Sequence, residues 1–161
     1  MSILENSLRQ LVAASPLWKP GTKVIAALSG GADSLCLADV MAAQGEEDGV
    51  DVLAVHVQHH LRGEEAEQDA RQVEDYCRNR GLAFRRVDVD ARSLAEKEGL
   101  SLEDAARRLR YEALETCRQE AGAEAIFLAH HQDDQAETVL LNLVRGAGTR
   151  EIGRASCRER V

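Results

Sequence analysis

Three polar clusters in this chain each follow an apolar run, and each carries side chains suited to handling a phosphate. The first is Ser29-Gly30-Gly31-Ala32-Asp33-Ser34. Two adjacent glycines let the backbone approach an anion. A helix starting beside them would point its first N–H groups at the same spot, with the positive end of its dipole behind them. The hydroxyls of Ser29 and Ser34 add donors, and Asp33 is placed to hold a divalent cation against phosphate oxygens. The second cluster is His56-Val-Gln-His-His-Leu-Arg62, where His56 is a binding candidate and Arg62 a further cation. The third is His130-His-Gln-Asp-Asp-Gln-Ala-Glu137. In it Asp134 and Glu137 have the spacing of a helix cap and its partner. Asp133 precedes that cap and is free to share a magnesium ion with Asp33, while His130 can donate to a phosphate or to a developing charge. Arg107 and Arg110 stand three apart on one helix face, Arg110 being the stronger candidate for a bidentate phosphate contact and Arg107 the second. Arg108, between them, is expected on a solvated face with ion pairs to Glu103 and Glu112.

The elements that must position these groups follow from the pattern of apolar residues. Ser2–Ala14 has its leucines and valine at helical spacing and is expected as a leading amphipathic helix. Val24–Leu28, Val52–Val57, Ala83–Val89 and Ala125–Ala129 read as strands. Between them, Leu35–Ala43 has helical length, Gly45–Gly49 reads as an acidic loop, and Glu64–Arg80 as an exposed helix ended by Gly81. Ala91–Gly99 fits no single element. Ser101 opens a convincing helix, with Asp104 three places on, and Leu102, Ala105, Ala106, Leu109, Ala113 and Cys117 form its apolar stripe. Ala136–Arg145 is expected as a closing helix. Strands alternating with helices imply an α/β fold: an open, mostly parallel sheet with helices on both faces and right-handed crossovers. Ligands in such sheets sit beyond the carboxyl ends of the strands, where all three clusters fall.

Composition narrows the classes. The chain has 161 residues, 44% hydrophobic and 30% charged, with a net charge of −8, which suits one soluble domain and argues against nucleic-acid binding by overall field. No apolar run approaches membrane-spanning length, and Met1–Gln10 carries charge where a signal peptide would be apolar, so the expected compartment is cytoplasmic and no membrane partner is expected. The four cysteines (Cys36, Cys77, Cys117, Cys157) are far apart and include no C-x-x-C, as free thiols would be. Five histidines with no neighbouring cysteine and no H-E-x-x-H helix give no zinc site. Residues 151–161 show no hydrophobic period and look like the conceptual translation of a sequencing adapter. The expected domain is therefore 1–150, incomplete at its C-terminus, with 151–161 outside it.

The first loop is neither a Gly-x-x-x-x-Gly-Lys-Ser/Thr nor a Gly-x-Gly-x-x-Gly. Ser-Gly-Gly-x-Asp-Ser after a buried strand resembles the PP-loop of ATP pyrophosphatases, which cleave ATP between the α- and β-phosphates. Taken with His56–Arg62, Ala106-Arg-Arg-Leu-Arg-Tyr111, Ala129–Leu141 and Arg145-Gly146, the chain from Val24 to Gly148 resembles the N-terminal ATP-binding domain of tRNA(Ile)-lysidine synthetases. Gln58 and His60 depart from that family's pattern, which more often has Asp or Asn and Gly. The resemblance implies ATP and Mg2+, with tRNA(Ile) and free lysine as partners. Ser29, Gly30, Gly31, Ala32, Asp33, Ser34 and His56 would bind nucleotide, Asp33 and Asp133 the metal. His130, Arg110 and Arg107 would join the two aspartates in catalysis. Two alternatives are another PP-loop ligase, such as a tRNA thiolation enzyme, and a non-catalytic nucleotide-binding fragment.

Overall fold

The computed structural model describes residues 3–29, 31–60, 63–131, 138–145 and 153–158. Eleven elements follow in order: α1 (Ile3–Ala14), β1 (Lys23–Leu28), α2 (Ala32–Asp48), β2 (Asp51–Gln58), α3 (Glu64–Asn79), β3 (Ala83–Asp88), α4 (Ala91–Glu98), α5 (Leu102–Ala121), β4 (Ala125–His131), β5 (Thr138–Arg145) and β6 (Gly153–Arg158). They form a six-stranded sheet in the order β3-β2-β1-β4-β5-β6. The first four strands run parallel, and β5 and β6 add on antiparallel.

Strand β1 is buried on both sides, and its alternation assigns each residue to a layer. Val24, Ala26 and Leu28 face a core made with Leu8, Val12, Leu37, Met41, Val73 and Phe127. Ile25 and Ala27 face the other, with Val55, Leu114, Cys117, Ile126 and Leu128. Helices α1, α2 and α3 thus cover one face and α5 the other, while α4 packs on α5 through Ala91, Ala95 and Ala105. The α/β expectation, mostly parallel with both faces covered, is what the structure shows. The chain moves outward from β1 through β2 to β3, then returns beneath the sheet to place β4 on the far side of β1. That reversal makes the carboxyl ends of β1 and its neighbours the natural ligand crevice.

Three local expectations are corrected. Helix α2 continues through Glu46 to Asp48, so the expected acidic loop is helical until its cap at Gly49. Gly45 has a packing reason: a Cβ there would lie 2.5 Å from the Val50 carbonyl oxygen. The ambiguous Ala91–Gly99 stretch is helix α4, capped by the Asp90 side chain accepting from Ser93 N–H. The expected closing helix is strand β5, whose Leu140 pairs with His130 and Val144 with Ile126. A short apolar run reads equally as buried helix or strand, and Thr138, Val139 and Val144 are β-branched. The edge of β4 meanwhile offers unpaired backbone groups that a helix would leave bare. Ala136, at that element's expected start, lies outside the described residues. Leu102, expected in the α5 stripe, is the first residue of that helix and is 44% exposed, outside the cluster that joins α4 and α5.

Candidate functional site

The turn from β1 into α2 is built by Ser34. Its side chain is 2% exposed, and its hydroxyl donates to the Gly31 carbonyl (2.9 Å) while accepting from Ser29 N–H (3.2 Å). The Ser29 hydroxyl lies 3.2 Å from the same oxygen and accepts from Gly31 N–H at 3.3 Å. Ser34 therefore spends its hydroxyl shaping the loop, leaving the anion-facing donors to backbone N–H groups. Gly30 lies outside the described residues. Gly31 has an ordinary extended backbone (φ −79°), and a Cβ added there would touch only the Ser29 hydroxyl, at 3.6 Å. Its lack of a side chain leaves space open at the mouth of the helix rather than relieving backbone strain.

Helix α2 begins with no side-chain cap, whereas Asp90 caps α4 and Ser101 caps α5 by accepting from Asp104 N–H. An uncapped start leaves N–H groups and the positive dipole end available to an anion. Asp33 and Ala32 lie in this first turn.

Beside the loop is a cavity of about 320 Å³ lined by Ser29 just after β1, His56 and Gln58 from β2, His59 just after it, Asp69 from α3, and Arg110 and Leu114 from α5. Arg110 is half-buried and has no acidic partner among the described residues. Burial pushes its guanidinium below the usual value, nearby Arg107 adds to that, and Tyr111 opposes it. Arg108 instead pairs with Glu98 and Glu112, so the expected Glu112 pair is present and Glu98 takes the place foreseen for Glu103. Arg107 sits one turn before Arg110 but is exposed and outside the cavity lining. A buried cation without a counter-charge is costly, and an anionic ligand supplies the missing charge.

His56 is 5% exposed, and its Nδ1–H donates to the Leu28 carbonyl at 2.8 Å. Burial lowers its pKa, with a smaller push from Arg86. His59 is also lowered, first by burial and then by Arg110 and His56. Both rings are therefore neutral near pH 7. Gln58 ties the cavity rim together: its Nε2 donates to the Ala66 carbonyl (2.5 Å) and its Oε1 accepts from His60 N–H (3.3 Å). His60 itself has φ +57° and bonds Asp88 through Nε2 at 2.9 Å.

The structure thus brings Ser29, His56 and Arg110 to one cavity, beside Gly31 and Asp33. His130 and His131 end β4, next to β1 in the sheet; Ser29 and His130 each stand three residues beyond the paired Ala26 and Phe127. Asp133, Asp134 and Glu137 lie outside the described residues, as does Arg62. No cluster of three metal-type side chains occurs among the described residues. Asp69 and His59 were not foreseen as lining this cavity. Asp69 belongs to an acidic exposed helix, and nothing in its neighbourhood in the sequence distinguishes it.

Comparison with known proteins accords with this geometry. The model of the PP-loop domain matches residues 1–160. Over 143 residues the chain is 43% identical to a tRNA(Ile)-lysidine synthase of Geobacter sulfurreducens, covering 89% of this chain and 30% of that protein. The corresponding protein of Porphyromonas gingivalis is 42% identical over 146 residues, 90% and 31%. That of Caldanaerobacter subterraneus is 42% identical over 150 residues, 93% and 32%. The chain therefore spans about three-tenths of the length of these relatives. A solved U34-tRNA thiolase from Methanococcus maripaludis superposes with a TM-score of 0.64 at 16% identity, over 78% of this chain and 43% of that one, a likeness of fold. Among the described residues no helix is long and apolar enough to cross a membrane. With a family model matched along nearly its whole length and a glycine turn, uncapped helix and cavity where that family's loop falls, the chain belongs to the PP-loop family.

Proposed function

We propose that this chain is the ATP-binding part of a cytoplasmic tRNA(Ile)-lysidine synthase. The observation that carries the proposal is the half-buried Arg110, without an acidic partner among the described residues, in a cavity that opens beside the uncapped start of α2. On this reading the loop from Ser29 to Asp33 receives the β- and γ-phosphates through backbone N–H groups. Arg110 offsets charge that grows on the α-phosphoryl group. The C2 carbonyl oxygen of the wobble cytidine attacks the α-phosphorus, and pyrophosphate leaves. The side-chain amine of free lysine then attacks C2, releasing AMP and forming lysidine. His130, at the neighbouring strand end, serves as a donor to the reacting phosphate, and Arg107 as a peripheral cation.

Magnesium usually takes one or two carboxylates and completes its shell with phosphate oxygens and water. Asp33, at the first turn beside the loop, suits one such ligand, and Asp133 is the second in this proposal. The ion would neutralise charge on the departing pyrophosphate.

ATP–pyrophosphate exchange in the protein read through from its genomic frame, with and without a tRNA(Ile) transcript, tests the proposal. Exchange dependent on the transcript and lost on Asp133→Asn supports it. Exchange that ignores tRNA, or is untouched by Asp133→Asn, refutes the cytidine step or the role of Asp133. A thiolation enzyme working through a persulfide is disfavoured by the cysteines. Burial pushes the Cys77 thiol up to about 11 and raises Cys117, and among the described residues no cysteine lines the cavity. We also propose that 151–161 is adapter-derived although 153–158 extends the sheet as β6. Genomic codons that continue through Val161 unchanged would refute it.

A further inference from the structure

The phosphate chemistry leaves two ring nitrogens in the cavity lining without a partner among the described residues, the buried Nδ1 of His59 and the Nε2 of His56, and only the second has its tautomer fixed. His56 lies opposite Leu28 in the parallel register of β1 and β2, and the bond to the Leu28 carbonyl fixes the ring's tautomer. A carbonyl oxygen only accepts, so Nδ1 carries the proton and Nε2 carries a lone pair. That Nε2 has no hydrogen-bond partner among the described residues, on a side chain that is almost wholly buried and lines the cavity. The charges around the ring are Arg86 and Asp88 on β3 and Asp69 on α3. Burial outweighs both carboxylates, so the lone pair persists at neutral pH.

An acceptor lone pair repels a phosphate oxygen and welcomes an N–H or O–H. Asp69, whose carboxylate only accepts when ionised, lines the same cavity. The lining therefore combines a cation, Arg110, with two acceptors, His56 and Asp69. A nucleotide matches that combination, being anionic at its phosphates and a donor at its base or ribose. An acceptor that a bound ligand desolvates and leaves unpaired costs more than the same bond gains in water, which is how sites of this kind discriminate.

We propose that His56 selects the base of the nucleotide, its Nε2 accepting a hydrogen bond from the exocyclic amine of an aminopurine. This rests on the ATP-binding reading above and adds the specificity that reading leaves open. It distinguishes adenine from purines that lack an amine at C6 or present a carbonyl there.

Isothermal titration of the chain in magnesium chloride with ATP, purine-riboside triphosphate, ITP, 2′-deoxy-ATP and 3′-deoxy-ATP tests it. Purine-riboside triphosphate should bind about tenfold more weakly than ATP, the worth of one hydrogen bond to a buried acceptor. ITP should bind more weakly still, its carbonyl facing the lone pair, and both deoxy nucleotides should match ATP. His56→Phe should equalise ATP and purine-riboside triphosphate, and His56→Gln, which can donate to Leu28 and still accept, should restore part of the preference. Equal binding of ATP and purine-riboside triphosphate by the unaltered chain overturns the assignment with no variant needed. So does a deficit confined to a deoxy nucleotide, which would give the lone pair to a ribose hydroxyl. Preference for ATP surviving in His56→Phe overturns it as well. No binding of any nucleotide overturns the ATP-binding reading, and this assignment with it.

Discussion

Replacing Arg110 with methionine should move two measurements in opposite directions. Methionine keeps much of the apolar stem while deleting the guanidinium. In the unliganded protein that guanidinium is half-buried with no acidic partner among the described residues, and burial already disfavours its charge. Removing it should leave the melting temperature unchanged or raise it, because an uncompensated desolvation cost disappears. With ATP bound the sign reverses. A hydrogen bond to a charged group contributes about 1.5–3 kcal/mol, so its loss should weaken ATP about 10- to 150-fold at low salt. Differential scanning fluorimetry and isothermal titration on the same preparation read the two effects. Arg108→Met is the control: its pairs with Glu98 and Glu112 lie on the exposed side of α5, where solvent screens them, and ATP affinity should not change. If Arg110→Met lowers the melting temperature by several degrees and leaves ATP binding intact, the arginine is structural and the phosphate argument fails.

Gly31→Ala should raise stability by roughly 0.4–1 kcal/mol through the unfolded chain, because its φ of −79° suits any residue and its Cβ meets only Ser29 Oγ at 3.6 Å; the same methyl should weaken ATP, and unchanged affinity would show that the glycine is not kept for phosphate approach. Gly45→Ala should lower the melting temperature without touching ATP affinity once folded, since its Cβ would sit 2.5 Å from a backbone oxygen; a neutral result would mean that the α2–β2 turn relaxes freely. Acid should destabilise the fold through His56 and His59. Burial holds both folded pKa values below the ordinary 6.5, so their contribution is complete above about pH 6.5 and is lost as pH falls below it. Thermal melts from pH 8 to 5.5 should therefore decline in the unaltered chain and decline less in His56→Gln; identical profiles would remove His56 from the acid response.

Much of this arrangement could be read from the chain because local and long-range signals agree there. The run Val24–Leu28 is short, apolar and stopped by glycines, and the structure buries it on both faces. The Ser101 cap and Gly122 stop of α5 are side-chain and backbone chemistry acting within one turn, so they survive any tertiary context. The stretches that misled are those whose conformation is decided elsewhere. Gly45 is conspicuous as a helix breaker in the sequence, yet the reason for it is the Val50 carbonyl across the turn. Thr138–Arg145 is apolar enough for either element, and only the pairing of Leu141 with Ala129 and Val144 with Ile126 makes it a strand. At the site, Arg110 was legible from its spacing, whereas Asp69 reaches the cavity only through the way α3 packs over β2.

Why the site sits where it does follows from what the rest of the molecule satisfies. Arginine after arginine in this acidic chain finds a carboxylate: Arg9 with Glu47, Arg78 with Glu74, Arg85 with Glu120, Arg86 with Glu67, Arg118 with Glu115. Helices α4 and α5 carry side-chain caps, whereas α3, like α2, starts at a glycine with none. At the carboxyl ends of β1 and β2 an uncapped α2, an Arg110 with no acidic partner among the described residues and a His56 Nε2 with no hydrogen-bond partner among them converge. Each alone is a modest local cost, and each is lifted by a different part of one ligand: two by negative charge and one by a hydrogen-bond donor. A phosphate ion would relieve the helix and the arginine but not the histidine, and a free base would relieve only the histidine. A nucleotide relieves all three together, so a cavity that bound inorganic phosphate as tightly as ATP would break the link between these three costs and with it the assignment of the site.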